Sequence, residues 1–320
     1  MTILITGGTG YIGSHVSRLL QHRGQKVVSV DNLTSGLMSR LGEAQLVQLD
    51  LSAPNAQEVL TNLMREHQVT AVIHLAAQKQ VGVSVEQPEW YYKQNIDGMA
   101  NLLLAMRANN VTRLVFSSSA ATYGMPDLAL VPEDIICQPI NPYGETKLIG
   151  EWMTANASKA WGLHAANLRY FNVAGAGWPE LADTAVMNLV PIVFEALEQG
   201  KSPKVFGNDY PTADGSCVRD YVHVLDLAEA HLAALDYLEQ DSRPHATFNV
   251  GTGVGSSVFE VLNMVREVSG INFEPEVVPR RAGDPPALCA NVDRIRETLG
   301  WTARYGLRDI IQSAWDARSN

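Results

Sequence analysis

The amino-acid sequence predicts an α/β protein with a doubly wound parallel sheet, followed by a smaller mixed α/β lobe. Short β-branched and apolar runs alternate with helical patterns from residue 2 to about residue 171. Most of these runs are apolar on both faces, as strands between two helix layers must be. Beyond residue 173, long connections rich in glycine and proline separate shorter helices. Their Arg, Asn, Trp and Tyr content favours binding loops.

Each element of the first region is predicted from its own pattern. Strands are expected at TILIT (2–6), KVVSVD (26–31), LVQLD (46–50), AVIHLAA (71–77), RLVFSSS (113–119), ANLRYF (166–171) and TFNVG (247–251). Helices are expected at IGSHVSRLLQHRG (12–24), NAQEVLTNLMREH (55–67) and GMANLLLAMRANN (98–110). We place the first domain at residues 1–172, with a return of the chain near 219–251. The second lobe is expected mainly at residues 173–320.

Composition and charge narrow the possible functions. The chain has 320 residues and a formal net charge of −10, with no run of basic residues. A nucleic-acid groove needs concentrated positive charge, so nucleic acid is not an expected partner. The three cysteines are far apart, without a CxxC pair or a zinc spacing. No metal site is therefore expected, and a reducing compartment fits the chain.

The N-terminal segment shows none of the usual targeting patterns. The chain begins MTILITGG, directly with a strand pattern and without a basic segment or a cleavage site. No apolar run approaches the roughly 18 residues that a membrane-spanning helix needs. We therefore expect a cytoplasmic protein that does not bind a membrane.

A glycine-rich turn follows the first predicted strand. Residues 6–13 read TGGTGYIG, and Gly7, Gly10 and Gly13 give the spacing G-x-x-G-x-x-G at the start of a helix. Glycine permits the tight turn and lets the backbone approach a pyrophosphate at the positive helix N-terminus. A turn of this kind can also be purely structural, so its meaning depends on the residues that follow.

Two aspartates at later strand ends turn this motif into a predicted dinucleotide site. Asp31 ends the second strand, where a carboxylate can accept hydrogen bonds from an adenosine ribose and would repel a 2′-phosphate. The sequence continues DNLTSG without an arginine, which favours NAD over NADP. Asp50 ends LVQLD, in position to meet the adenine. Either aspartate could cap a helix instead, but with the glycines they predict a Rossmann-type NAD-binding domain.

A tyrosine and a lysine one helical turn apart form the predicted reactive centre. In NPYGETK, Asn141 can cap a helix and Pro142 suits its first position, which puts Tyr143 and Lys147 on one face. Tyrosine ordinarily has a pKa of about 10, and a lysine ammonium, a nicotinamide cation and the helix N-terminus would all lower it. The serines that end RLVFSSS should face the same cofactor crevice. Without these neighbours, YxxxK would more often be an exposed helix surface.

Several motifs together resemble a known family. TGGTGYIG, SSSAATYG and YGETK resemble the extended short-chain dehydrogenase/reductase superfamily. Longer matches, LRYFN, FGNDYPTADGSCVRDYVHV and PRRAGDPPA, are similar to the UDP-glucose 4-epimerases, also called UDP-galactose 4-epimerases, over essentially the whole chain. The resemblance implies an isomerase of UDP-hexoses that uses NAD to interconvert UDP-glucose and UDP-galactose.

The resemblance also implies a role for each residue of the reactive centre. Tyr143 would take the proton of the sugar 4-hydroxyl while the C4 hydride passes to NAD+, and Ser119 would hydrogen-bond the same oxygen. Lys147 would hold the nicotinamide ribose and lower the pKa of Tyr143. The 4-keto sugar would then turn over and take hydride back on its other face, so no net redox occurs.

Two sets of binding residues follow from the same resemblance. The cofactor would contact Gly7, Gly10, Tyr11, Ile12, Gly13, Asp31, Asn32, Asp50, Leu51, Leu75, Ala76, Ala77, Lys79, Asn95, Ser117, Tyr143, Lys147 and Phe171. The substrate would contact Lys79, Ser119, Tyr143, Asn172, Asn188, Leu189, Lys204, Val205, Phe206, Arg219, Tyr221, Arg281, Asp284 and Leu288. Arg219 and Arg281 suit a dianionic pyrophosphate, with Phe206 near the uracil and Asp284 near its ribose. Arg219 could instead pair with Asp220 or another residue of the lobe, and Phe206 could be a core residue.

The sequence departs from related families at two places. Nucleotide-sugar 4,6-dehydratases carry an acidic residue beside the catalytic hydroxyl, whereas Ala120 and Ala121 follow Ser119 here. This difference argues against elimination of water from the sugar. Family members restricted to UDP-glucose and UDP-galactose tend to have a tyrosine at the position of Leu288. The leucine leaves space for UDP-GlcNAc and UDP-GalNAc, unless a neighbouring side chain restores the wall.

Other functions stay open at this point. A 4-epimerase of a UDP-uronic acid or UDP-pentose would differ only in pocket contacts that the sequence does not fix. A non-catalytic NAD-sensing protein would keep TGGTGYIG but has no need of Ser119, Tyr143 and Lys147 together. The family forms homodimers through helices of the first lobe, so the resemblance implies a homodimer through residues around 91–110 and 144–162.

Overall fold

The structure, a computed structural model, describes residues 1–240, 245–281 and 283–318 and divides into two compact units. The first unit comprises Met1–Gly124, Cys137–Arg169 and Ala228–Phe248, and the second comprises Met125–Ile136, Tyr170–Leu227 and Asn249–Asn320. Each unit is therefore assembled from separate stretches of the chain. The predicted NAD-binding domain at 1–172, its return near 219–251 and the substrate-binding lobe at 173–320 stay predictions.

Strands and helices alternate along the first half of the chain. The strands are β1 (Thr2–Thr6), β2 (Lys26–Asp31), β3 (Gln45–Gln48), β4 (Ala71–His74), β5 (Arg113–Ser119), β6 (His164–Tyr170), β7 (Asn172–Ala174), β8 (Lys204–Phe206), β9 (Val218–His223), β10 (His245–Val250), β11 (Gly255–Ser257), β12 (Glu276–Val278) and β13 (Ala287–Leu288). The helices are α1 (Tyr11–His22), α2 (Ala56–Glu66), α3 (Val81–Glu86), α4 (Pro88–Tyr92), α5 (Gly98–Ala108), α6 (Pro142–Trp161), α7 (Leu189–Glu198), α8 (Val224–Tyr237), α9 (Val258–Ser269), α10 (Asp293–Leu299) and α11 (Leu307–Asp316). All strands and helices predicted above are confirmed, with small shifts at their ends.

A seven-stranded sheet of order β10-β6-β5-β4-β1-β2-β3 forms the frame of the first unit. Strand β1 pairs in parallel with both β2 and β4, and the pairs β2–β3 and β4–β5 are also parallel. The order runs outward in both directions from the β1–β4 pair, which confirms the predicted doubly wound sheet. Ligands of such sheets bind beyond the carboxyl ends of the strands, next to the pair where the order reverses.

Helices pack closely on this sheet. Ile3, Leu4 and Ile5 of β1 have no exposed surface, because helix layers cover both faces of a doubly wound sheet. Helix α6 approaches β5 closely at Gly150, where a Cβ atom would lie 2.5 Å from the Phe116 ring. Glycine at this position lets α6 lie against the carboxyl half of β5.

The second unit is built on smaller sheets, as expected for a mixed α/β lobe. Strand β9 pairs with β7, β11 and β13, and β8 pairs with β12. The core of this unit contains Phe194 of α7, Val261 of α9 and Ile310 of α11. These helices bury their apolar sides in one cluster with residues of the sheets.

The substitution Gly150→Ala is expected to lower the free energy of unfolding by about 1–3 kcal/mol, because the added methyl group overpacks the buried Phe116 ring. The control is Gly82→Ala in α3, where a Cβ atom would meet no other atom within 4 Å. There the change should be neutral or stabilising by about 0.5–1 kcal/mol. Urea unfolding measures both values, and equal stability of the two variants would contradict the close contact.

Candidate active site

The glycine-rich turn joins β1 to α1, next to the strand pair where the sheet order reverses. Gly7 has a φ of +77°, which favours glycine, and a Cβ atom on it would lie 2.8 Å from the Ala76 amide nitrogen. A Cβ atom on Gly13 would lie 2.1 Å from the Gly7 carbonyl oxygen. Gly10 is the N-cap residue of α1. A backbone surface bare of side chains at a positive helix end fits a pyrophosphate.

Asp31 lies at the carboxyl end of β2, beside this turn. Its Oδ2 accepts a hydrogen bond from the Thr9 amide at 3.2 Å, and its Oδ1 accepts one from the Leu33 amide at 2.9 Å. These bonds fix the carboxylate where a dinucleotide fold places its ribose acceptor. Asp50 follows β3, and its Oδ1 accepts hydrogen bonds from the amide and hydroxyl of Ser52.

The other residues predicted to contact the cofactor lie in the first unit, with one exception. Tyr11 and Ile12 begin α1, Asn32 follows β2, Leu51 follows β3, and Leu75, Ala76, Ala77 and Lys79 follow β4. Asn95 lies in a π-helical turn, Lys93–Asp97, where its side chain donates hydrogen bonds to the Gln78 carbonyl and the Thr146 hydroxyl. The exception is Phe171, which lies in the second unit and is buried there.

A small cavity brings several of these residues together. Ala76, Ala77, Asn95 and Lys147 are among the residues that line it. The cavity therefore lies where the segment after β4 meets α6, at the carboxyl end of the sheet.

The start of α6 carries the predicted tyrosine and lysine. Oδ1 of Asn141 accepts a hydrogen bond from the Gly144 amide at 2.9 Å, and Pro142 is the first helical residue. This confirms the predicted cap. Tyr143 and Lys147 are only 8% and 4% exposed, so they do not form the exposed helix surface that a YxxxK motif would more often give.

The serine-rich end of β5 meets α6 through successive residues. The Ser117 carbonyl oxygen accepts a hydrogen bond from Nζ of Lys147 at 2.7 Å. The Ser119 hydroxyl is a hydrogen-bond partner of the Tyr143 phenol. Lys147 Nζ lies 5.9 Å from the centroid of the Tyr143 ring. The three residues predicted to be catalytic therefore occupy one site.

Burial dominates the acid–base properties of this site. Burial raises the pKa of Tyr143 above 10, and the hydrogen bond with Ser119 acts in the opposite direction. The net shift is upward because burial outweighs the lowering effect predicted from Lys147. Burial lowers the pKa of Lys147 from 10.5 to about 8, against the raising effect of Glu151. Burial and the charge of Lys147 lower the pKa of His74 to about 3.

Sequence reasoning missed a second layer of residues around this site. His74 lies at the end of β4 and has a lowered pKa. Nε2 of His231 lies 2.8 Å from the Ser117 hydroxyl oxygen. Glu151 Oε1 accepts a hydrogen bond from the Ser118 hydroxyl at the same strand end. Glu151 could have been found from the sequence, since it stands four residues after Lys147 and shares its helix face. The two histidines could not have been found in this way, because they come to the site from distant parts of the chain.

The second unit gathers charged residues predicted to bind the substrate. Arg219 of β9 lies 3.5 Å from Asp284 and donates a hydrogen bond to the Pro285 carbonyl at 2.8 Å. Arg281 donates to the other oxygen of Asp284 at 3.0 Å, and its guanidinium lies 4.6 Å from the Phe206 ring centroid. Two arginines, a carboxylate and an aromatic ring thus form one group, the arginine cluster. Its residue types suit a nucleotide diphosphate.

Arg219 pairs with another residue of this lobe, Asp284, and not with its neighbour Asp220. Asp220 is fully buried and accepts hydrogen bonds from the amides of Thr252, Gly253 and Ala290. Leu288 of β13 is half-buried and stands opposite Arg219 of β9. The position that the sequence linked to sugar choice therefore adjoins the arginine cluster.

The remaining predicted substrate residues of the second unit have varied surroundings. Asn188 caps α7, and its Nδ2 donates to Asp183 at 3.2 Å. Leu189 is the first residue of α7, Lys204 is exposed and Val205 buried in β8, and the exposed Asn172 pairs with the buried Tyr221. Phe206 is partly exposed, so it is not simply a core residue. Burial raises the pKa of Tyr221.

The described residues offer neither a metal site nor a membrane-spanning helix. Within residues 1–240, 245–281 and 283–318, no group of three or more His, Cys, Asp or Glu side chains could hold a metal ion. No helix in those ranges has the length and apolar character to cross a membrane. The three cysteines, all of them described, form no disulfide.

The sheet order, the glycine turn and the Ser119–Tyr143–Lys147 site define an NAD-dependent enzyme of the extended short-chain dehydrogenase/reductase class. A family model described as "NAD dependent epimerase/dehydratase family" matches residues 3–251. The chain belongs to this family.

Curated relatives and solved structures agree with this assignment. The UDP-glucose 4-epimerase of Corynebacterium glutamicum is 41% identical over 320 residues, with 98% of this chain and 95% of the relative covered. The crystal structure of the UDP-glucose-4-epimerase from Stenotrophomonas maltophila, with bound NAD and formylated UDP-arabinopyranose, has a TM-score of 0.94 and 39% identity, covering 100% of this chain and 98% of that chain. The UDP-Glc/GlcNAc 4-epimerase of Campylobacter jejuni gives a TM-score of 0.87 and 37% identity, with 99% of each chain covered.

Lys147→Met is expected to stabilise the folded protein at pH 7, because a buried ammonium with a pKa lowered to about 8 costs folding free energy. The gain should reach at most about 3 kcal/mol below pH 8. Between pH 8 and 10.5 the unfolded wild-type chain binds a proton that the folded chain does not. Its stability therefore rises with pH in this range, and the advantage of the variant shrinks.

Urea unfolding of wild type and variant at pH 7 and pH 10 measures this effect. Lys159→Met, at an exposed position of the same helix, is the control and should change stability little. A gain of equal size at both pH values would contradict the lowered pKa of Lys147.

Proposed function

We infer that the chain is an NAD-dependent 4-epimerase that interconverts UDP-glucose and UDP-galactose. The observation that carries this inference is the buried grouping of Ser119, Tyr143 and Lys147 at the carboxyl end of a dinucleotide-type sheet. A non-catalytic NAD sensor would not need these side chains around one phenol. Relatives about as long as this chain and about 40% identical to it are UDP-glucose 4-epimerases, which supports the choice of reaction.

The residues of the first unit fit NAD as the resident cofactor. The glycine turn has no space for Cβ atoms at Gly7 and Gly13, as a turn that cradles a pyrophosphate requires. The Asp31 carboxylate would accept hydrogen bonds from the adenosine ribose and repel a 2′-phosphate. When bound, NAD+ accepts and returns the C4 hydride and adds positive charge to the site.

We propose that Tyr143 removes and returns the proton of the sugar 4-hydroxyl. Its phenol is buried and bonded to Ser119, which would hold the same sugar oxygen. Because burial raises the pKa of Tyr143, ionisation of the phenol at neutral pH requires positive charge nearby. The Lys147 ammonium supplies part of this charge below about pH 8 and would also hold the nicotinamide ribose. The sugar loses a hydride from C4 and a proton from its 4-hydroxyl group, and it regains both with the opposite configuration at C4.

The arginine cluster of the second unit suits the UDP part of the substrate. Arg219 and Arg281 offer planar guanidinium groups to a diphosphate. Phe206 offers a ring face to uracil, and Asp284 offers oxygens to the ribose hydroxyls. The contacts of Lys79, Asn172, Asn188, Leu189, Lys204, Val205 and Tyr221 with substrate stay predictions.

Dehydration, the other reaction named by the family, is not favoured here. A 4,6-dehydratase needs an acid–base pair beside the catalytic hydroxyl, to remove water across C5 and C6. Ala120 and Ala121 follow Ser119 and are apolar. The side chains at this position therefore support proton and hydride transfer at C4 alone.

We also propose that the protein forms a homodimer through α5 and α6. Leu104 of α5 is 48% exposed and Trp152 of α6 is 57% exposed. Helices α5 and α6 contact each other, and an interface on them would cover these exposed apolar side chains. This agrees with the helices that the resemblance implied.

Tyr143→Phe is expected to lower turnover of UDP-glucose at least about a hundredfold, since the proton acceptor is removed. Bound NAD should be retained, because the ring still fills its place. The spectrum of the purified protein measures the cofactor, and a coupled assay measures turnover. Tyr237→Phe, which keeps the ring contact with Phe248, is the control and should be as active as wild type. Wild-type turnover of Tyr143→Phe would disprove the assigned mechanism.

We propose that Leu288 lets the pocket accept N-acetylated UDP-sugars, as the name of the Campylobacter relative includes GlcNAc. Leu288→Tyr is expected to reduce turnover of UDP-GlcNAc relative to UDP-glucose by about ten- to a hundredfold, because the larger ring closes the space beside C2. Leu288→Met, which conserves volume, should leave the ratio unchanged. The assay panel also contains UDP-galactose and UDP-glucuronate, and substantial turnover of UDP-glucuronate alone would overturn the proposed substrates.

A further inference from the structure

A buried ion pair lies in the first unit behind the reactive centre. Arg169 of β6 donates two hydrogen bonds to Glu151 of α6, from Nε to Oε1 at 2.8 Å and from Nη2 to Oε2 at 2.6 Å. Their side chains are only 7% and 6% exposed. Burying such a pair is rarely more stable than an apolar contact of the same size, so a reason other than stability is needed.

The pair is connected to the serine-rich end of β5. The Ser118 hydroxyl donates a hydrogen bond to Oε1 of Glu151. On one side of Ser118, the Ser117 carbonyl accepts the hydrogen bond from Lys147, and on the other side Ser119 bonds to Tyr143. Glu151 therefore anchors the short backbone segment that orients both groups of the reactive centre.

The pair also sets the charge around Lys147. The groups near its ammonium are His74 of β4, Tyr143 and Glu151 of α6, and the carbonyl at the end of β5. His74 is neutral at pH 7, because its pKa is lowered to about 3, and the pKa of Tyr143 is raised. Glu151 is the anionic member of this group, and it raises the pKa of Lys147.

We propose that the Glu151–Arg169 pair is a positioning device for the reactive centre, which holds the serine-rich end of β5 through Ser118 and provides the negative charge that faces Lys147. Arg169 makes this possible, because an unpaired carboxylate is too costly to bury. Glu151 and Arg169 are positioning residues, since they act through Ser118 and Lys147. This inference rests on the proposed function for its catalytic consequence.

Two readouts test the charge role in Glu151→Gln. The first is the alkaline limb of the kcat profile with UDP-glucose, which should move to lower pH by about one unit when Lys147 loses its anionic neighbour. The second needs neither substrate nor turnover. The pH at which the stability gain of Lys147→Met begins to shrink should fall from about 8 by the same amount in the Glu151→Gln background.

The positioning role is tested by Ser118→Ala. This change removes the link to β5 but leaves both charges, so kcat should fall about tenfold with the alkaline limb in place and KM little changed. An unchanged kcat in Ser118→Ala would overturn the positioning role.

Two further variants separate the charge role of the pair from a merely structural one. Glu151→Gln removes the carboxylate that pairs with the buried Arg169 and lowers stability. If it does not fold, Glu151→Gln/Arg169→Gln, which removes both charges, carries the test. Its pH readouts should still be shifted. Glu239→Gln breaks the Arg113–Glu239 ion pair at the opposite end of β5 and should shift neither readout.

The outcomes distinguish the role proposed for the Glu151–Arg169 pair from the proposed epimerase function. Wild-type pH readouts in the double variant would overturn the charge role and leave the pair with a structural role only. Absence of epimerase activity in the wild-type protein would disprove the proposed function, whereas the stability readout would still decide whether Glu151 controls Lys147.

Discussion

The packing of α6 against the carboxyl end of β5 is the contact on which the site depends. Gly150 allows the helix to approach the Phe116 ring, and this approach brings the Lys147 ammonium to the Ser117 carbonyl. Tyr143 lies one turn earlier on the same rigid helix and meets Ser119. A helix fixed at one point thus fixes every side chain on that face, which is how a site of this kind obtains precise geometry.

Burial shifts the pKa values of this site and also makes its charged groups costly in folding free energy. Exclusion of water lowers the pKa of Lys147 to about 8 and raises that of Tyr143, so both groups are moved toward their neutral forms. A base that must ionise and a cation that must stay charged therefore need further charges nearby. Glu151 meets this need for the cation, because it raises the pKa of Lys147, and Arg169 pairs with the buried Glu151 carboxylate.

In the second unit, two neighbouring residues of β9 have different tasks. Asp220 is buried and holds the loops that follow β10 and β13 by accepting their amide hydrogen bonds. Arg219 faces the other way, as alternate residues of a strand do, and joins Asp284 and Arg281. The same strand therefore anchors the loops of this unit and presents its charged cluster.

The sequence by itself determined the doubly wound sheet, the glycine turn, the cap at Asn141 and the shared helix face of Tyr143 and Lys147. These features are local, because they depend on periodicity, on glycine spacing or on residues within one helical turn. The partners of the charged groups could not be read in this way, since Glu151 with Arg169 and Arg219 with Asp284 join residues on different elements. Only the tertiary structure decided those pairs, and through burial it also decided the direction of each pKa shift.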